Sequence, residues 1–208
     1  MLKNAIKHFF LILRHKRMVF CHCAKCGLIY RGLVHDLSKF SPTELFESAK
    51  YYQGNRSPIG VCRRAKGVSN AWLHHKGRNK HHIEYWLDPD CPETPLMPYK
   101  YAVECICDKL AATKTYKGKE YSPEKLIEHW EKYGNKVDGN PKTMAFIERV
   151  FRDIAEHGEK YRLFFLAKSL ERRLSRKLKC HKDKSEEINL KSSGSFRYGS
   201  GIIGEYPD

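Results

Sequence analysis

Apolar residues recur at helical spacing along most of the chain and almost nowhere in strict alternation. In residues 4–26 they fall at Phe9, Ile12, Leu13, Val19 and Phe20. Gly27 offers a natural stop, because glycine takes the left-handed cap conformation without penalty. His8, His15 and His22 are spaced by seven and share one face of this helix. A second helix is predicted over about 28–39. Ser41-Pro42-Thr43-Glu44 has the form of a capping box, with Ser41 as cap, Pro42 in the first turn and Glu44 reaching back. It starts a helix to about Tyr52. Residues 54–60 read as a loop, 61–76 as a helix ending at Gly77, and Asn79 as the cap of a short helix over 80–87. The stretch 88–98 holds four prolines and is irregular. Further helices are predicted from Tyr99 to about Tyr116, from Ser122-Pro123 to about Tyr133, and from Asn140-Pro141 onward. The last is strongly amphipathic through Met144, Ile147, Val150, Phe151 and Ile154. Gly158 interrupts it, and a final helix runs to about Leu178. From Cys180 the chain is rich in lysine, serine and glycine and reads as a mobile basic tail. With no strand pattern and no internal repeat, the prediction is one all-α domain over 1–178 and a flexible tail over 179–208.

Composition changes this picture mainly through charge. The 208 residues include 39 Lys and Arg against 24 Asp and Glu, a formal charge of +15. Such a surface favours anionic partners: nucleotides, phosphoesters, nucleic acid or an acidic membrane surface. The eight cysteines do not read as a disulfide framework, since five sit in two tight groups, Cys21/Cys23/Cys26 and Cys105/Cys107, inside helical patterns. On one helix Cys21 and Cys23 point about 200° apart, so these are read as small core residues rather than a zinc site. Ala5 to Leu13 is too short and too interrupted for a secretory signal, and no apolar run is long enough to cross a bilayer. A reducing, cytoplasmic setting is expected.

The chemistry gathers around His35-Asp36. The pair offers an imidazole and a carboxylate to one neighbourhood, and on a helix Lys39 lies along the same side. Three other stretches bear on it. His15 lies on the preceding helix, with His22 as a rival on the same face. Between Trp72 and Trp86 there are four histidines in nine residues, His74, His75, His81 and His82. Asp108 is an acid in an otherwise apolar, small-residue helical run, and a buried carboxylate needs a partner. Glu104, one turn before Asp108, either supports this group or forms a salt bridge.

The order His, His-Asp, His/His, Asp, with the local form His-Asp-Leu-Ser-Lys, resembles the HD superfamily of metal-dependent phosphohydrolases. The wording of HDLSKFSPTEL (35–45), YYQGNRSP (51–58), AWLHHKGRNKHHIEYW (71–86) and CDKLAATKTYKGKEYSP (107–123) is similar to that of a functionally uncharacterised HD-like bacterial and phage family. The resemblance spans roughly 5–160 and implies an HD-like helical bundle. It implies His15, His35, Asp36 and Asp108 as metal ligands, His75 and His82 holding a second ion, and Lys39 beside Asp36 contacting phosphate. Lys76, Arg78, Lys80 and His81 then contact substrate. The chain lacks the Gly-Tyr-Pro signature of the cyclic-dinucleotide branch, which argues against that substrate.

Imidazole and carboxylate without thiolate suit Mn, Fe, Ni, Co or Zn, with Mg also in range, as one or two ions. A metal-bound water is acidified and attacks phosphorus, Asp36 can bridge two ions, and the basic residues neutralise phosphoryl oxygens. The substrate implied is a small phosphorylated anion. Adjacent histidines on a helix point about 100° apart, so one of each pair is expected in the site, His82 and His75 ahead of His81, with His74 last. Two other readings remain open. HD-like folds also house di-iron oxygenases, and a basic helical module could bind nucleic acid through Lys76, Arg78, Lys80 and the tail.

Overall fold

The computed structural model describes residues 2–191, with side chains to 176 apart from those of 135 and 161. Among these residues there are nine α-helices and no strand, so the chain is all-α. The helices are α1 (Leu2–Lys25), α2 (Ile29–Val34), α3 (Pro42–Lys50), α4 (Pro58–Lys66), α5 (Asn70–Lys76), α6 (Tyr99–Lys117), α7 (Pro123–Tyr133), α8 (Pro141–His157) and α9 (Glu159–Lys191).

The bundle is built around α6. Twelve of its nineteen residues are buried, including Ala102, Val103, Ile106, Leu110 and Ala111, so it has almost no solvent face. A helix covered on nearly every side lies inside its domain, and the acids buried on it, Glu104 and Asp108, need partners there. It is covered by α1 on one side and by α7 and α8 on another, and α9 closes against α8 and α1. Val19 and Cys23 of α1, with Cys26 just past its end, meet it together with Trp130, Phe146, Ile147, Val150, Phe151 and Ile154. Cys23 and Cys26 are thus core residues as expected, whereas Cys21 is exposed.

Several local expectations are corrected. The second helix stops at Val34 rather than near Lys39. His35 is extended, Asp36 is left-handed at φ 52°, and a single 3-10 turn follows over Leu37–Phe40. Asp36 is the one non-glycine with positive φ among the described residues. Such a conformation costs about 1–3 kcal/mol and persists where its surroundings enforce it. The predicted 61–76 helix is two helices, parted at Gly67, which is left-handed at φ 77°. Over 80–87 only Ile83–Tyr85 makes a short 3-10 turn, and Asn79 does not cap it. Its side chain instead donates to Ser38 Oγ and the His75 carbonyl, both at 2.8 Å. Ser41 does cap α3, accepting from the Glu44 amide, but the Glu44 side chain turns inward instead of reaching back. Helix α9 continues past Leu178 to Lys191. The rest of the predicted tail lies outside the described residues.

Gly32 sets how closely α2 approaches α1. A Cβ there would meet Phe20 Cα and Cys23 Cβ, each at 3.0 Å. The close contact brings the end of α2, and with it His35 and Asp36, against the interior faces of α1 and α6.

Candidate metal centre

The break after Val34 is what aims His35 and Asp36 into the bundle. On a continuous helix the two side chains would diverge by about 100°. With the extended and left-handed residues in succession, both are buried, His35 completely. His15 arrives from the buried face of α1 and Asp108 from α6. His15 Nε2 lies 3.0 Å from Asp108 Oδ1, and His35 Nε2 lies 3.4 Å from the same oxygen and 3.3 Å from Asp36 Oδ2. On the other side of Asp36, Oδ1 is 3.4 Å from both His75 Nε2 and His81 Nε2. The result is two four-residue groups of donor atoms, His15/His35/Asp36/Asp108 and Asp36/His75/His81/His82, joined at Asp36, with a third group, His35/His81/Glu104, spanning them.

Both groups fit a cation. Donors about 2.1 Å from one ion stand about 3–3.4 Å from each other, as the five His–Asp pairs above do, and all the donor atoms of each group lie within 4.8 Å of one another. His35 Nε2, His81 Nε2, His82 Nε2 and Asp36 Oδ1 are buried without a hydrogen bond, and Asp36 Oδ2 meets only the Lys39 ammonium. Each buried polar atom left without a partner costs about 1–3 kcal/mol. Four such atoms converging on one place suit a site for positive ions, which would offset that cost.

Around the donors stand carboxylates that orient them. Glu104 Oε1 is 3.1 Å from His35 Nδ1 and 3.5 Å from His81 Nδ1, while Arg31 clamps both Glu104 oxygens at 2.7 and 3.1 Å. Glu44 plays the same part for α5, with Oε2 at 2.8 Å from His75 Nδ1 and Oε1 at 2.6 Å from His74 Nδ1. A carboxylate that accepts from Nδ1–H fixes the tautomer and turns the Nε2 lone pair toward the centre. Glu104 was ambiguous in sequence and is both salt-bridged and supporting. Glu44 was missed because the capping pattern already accounted for it.

Charge follows the same plan. Burial would raise the Asp36 carboxyl, but His35, Lys39, His75 and His81 hold it well below the ordinary carboxylate range. Asp108 is likewise held down against burial by its hydrogen bond to His15 and by the neighbouring His35. Glu104, opposed by burial, is brought to about 2 by His35, His81 and Arg31. Burial would lower His35, yet the charge of Asp36, the nearby Asp108 carboxylate and the hydrogen bond to Glu104 raise it well above its usual value. His82 is pushed far down by burial and then by the neighbouring His81 and His75. Three ionised carboxylates in a buried site are an environment made for cations.

Lys39, a quarter exposed, has Nζ 2.6 Å from Asp36 Oδ2. His81 lies in the donor group rather than at its edge. The chain over 80–82 is a turn, so His81 and His82 need not diverge as on a helix, and their rings are 4.3 Å apart. Lys76 is half-buried, while Arg78 donates to the His74 carbonyl and Lys80 lies over the Tyr85 ring. His74 bonds to Glu44 instead of joining the donors. His22 sits apart beside Lys114, at 3.4 Å, and His8 packs on Tyr52.

No curated protein and no solved structure matches the chain. One family does, over residues 4–153, a span that contains every donor and both supporting carboxylates. The chain belongs to that family, a family of unknown function, DUF5662.

Proposed function

We propose that the protein is an HD-type, metal-dependent phosphohydrolase acting on a nucleotide or other small phosphoester. The observation that carries this reading is the sharing of Asp36 by two buried donor groups. A shared carboxylate between two His-rich groups suits two divalent ions, Mn, Fe, Ni, Co, Zn or Mg. Bound there, they would supply Lewis acidity and a water acidified toward neutrality. His15, His35, Asp36 and Asp108 would hold one ion, and Asp36, His75, His81 and His82 the other. Asp36 presents Oδ2 to the first group and Oδ1 to the second. Glu104 and Glu44 keep the imidazoles in register. Lys39, charged and partly open to solvent, is placed to neutralise a phosphoryl oxygen as charge develops on it. Arg78 and Lys80 lie on the exposed turn between His75 and His81 and draw anionic substrate toward it. The seven described cysteines are all free thiols, in keeping with a reducing, cytoplasmic setting.

Elemental analysis of purified wild type beside Asp36→Ala tests the reading. Wild type should carry one or two transition-metal ions per chain and the variant far less. Wild type should also hydrolyse nucleotides or bis(p-nitrophenyl) phosphate with added Mn, Co, Ni or Mg. A metal-free protein without hydrolysis under any of these ions overturns the proposal. Tightly held iron with an oxygen-dependent spectral change would replace it with a di-iron oxygenase. Salt-sensitive nucleic-acid binding that survives His35→Ala and Asp36→Ala, with no hydrolysis, would replace it with a binding module.

A further inference from the structure

Helix α1 has two apolar faces. One, formed by Ile12, Val19 and Cys23 with His8, His15 and His22, is buried in the bundle. The other is in solvent: Leu2 is 76 % exposed, Ile6 50 %, Phe10 63 %, with Phe9 and Leu13 also exposed. At about 100° per residue these five fall in one arc opposite the buried one. The arc is flanked by Lys3, Lys7, Arg14 and Arg17, and α1 contains no acidic residue. The surface extends beyond the helix. The Phe9 and Phe40 rings meet at 5.8 Å, and Lys16 Nζ donates to the carbonyls of Leu33 at 2.7 Å and His35 at 2.6 Å. The 33–40 segment therefore runs beside this half of α1, and its exposed Leu33 and Leu37 widen the apolar area.

A stripe of this kind marks an interaction surface. Its occupant is indicated by charge. A second copy would set the Lys and Arg residues of one α1 against those of the other, with no carboxylate on either helix and +15 on each chain. An anionic lipid surface meets both features, taking the side chains of the arc into the headgroup–acyl boundary and the flanking cations at its phosphates. No described helix is long and apolar enough to cross a membrane, so α1 would lie in the interface plane.

We propose that the exposed Leu2/Ile6/Phe9/Phe10/Leu13 face of α1 docks the protein on an anionic bilayer. The test is flotation of the full chain with vesicles of phosphatidylcholine alone or containing phosphatidylglycerol, at low and high salt. Wild type should float with phosphatidylglycerol vesicles, much less with neutral ones, and release as salt rises. Ile6→Ser/Phe10→Ser should keep its helix content and melting temperature, since both side chains are exposed, yet lose about tenfold or more in partitioning. No flotation of wild type overturns the proposal. Equal flotation of wild type and variant also overturns it, because overall charge alone would then be holding the protein. A dimer abolished by the double substitution, with no vesicle binding, overturns it in favour of a second copy.

Discussion

His22 lies on the same face of α1 as His15, yet it ends in a different environment. Burial first, and then Lys114, push its pKa down to about 4, so it is neutral in the folded protein. Between about pH 6.5 and 4 the unfolded chain binds the proton and the folded chain does not. Stability is therefore full above 6.5 and falls as the pH drops through this window. His22→Gln removes the titration. The urea-unfolding free energy of wild type should fall more than that of the variant between about pH 7 and about pH 5, by on the order of 2 kcal/mol. Equal losses would show that His22 is already protonated when folded. His15 was legible as a candidate because a histidine on an apolar face needs a partner. Its preference over His22 was not, because the partner, Asp108, lies 93 residues away and the sequence does not say which turn of α1 meets it.

At the scale of elements, the α1–α2 corner decides where the centre forms. Gly32→Ala adds a methyl group against Phe20 backbone, which cannot move aside without shifting the helix. The variant should be less stable by about 1–2 kcal/mol, part of the overpacking cost being offset by alanine's better helix propensity. It should also bind metal less tightly, because His35 and Asp36 follow α2 outward. Unchanged melting and metal content would mean that the corner is looser than its contacts imply. The same corner shows what patterning can and cannot reveal. The strong stripes of α1 and α8 and the caps at Ser41 and Asn140 were readable, since they rest on local periodicity and turn chemistry. The break at His35-Asp36 was not. Leu33, Val34 and Leu37 continue a helical rhythm, and a left-handed aspartate leaves no trace in hydrophobic spacing. The turn over 80–82 escaped for a similar reason, and with it the placing of His81. Glu104 and Arg31 find each other 73 residues apart, a contact set by tertiary packing alone.

For the molecule as a whole, the centre joins α1, the turn after α2, α5, the turn over 80–82 and α6. Converging carboxylates and unpaired imidazoles weigh against folding, a cost that a bound cation would offset. A ligand that binds only the folded state stabilises it by about 2.7 kcal/mol when present at about a hundredfold over its dissociation constant. Removing metal with a chelator should lower the melting temperature by about 5–10 °C, and adding back the native ion should restore it. No shift on chelation would remove the metal from any structural part. The sharing of Asp36 also has a consequence in time. The donors at 36, 75, 81 and 82, with Glu44 behind them, all precede Asp108 in the chain. As the chain is made from its N-terminus, this group is complete before α6 exists, and it closes shorter loops than the 93 residues between His15 and Asp108. On the metal reading the two positions would fill in sequence, the group around His75, His81 and His82 being assembled first and the one that needs Asp108 only once the central helix is in place.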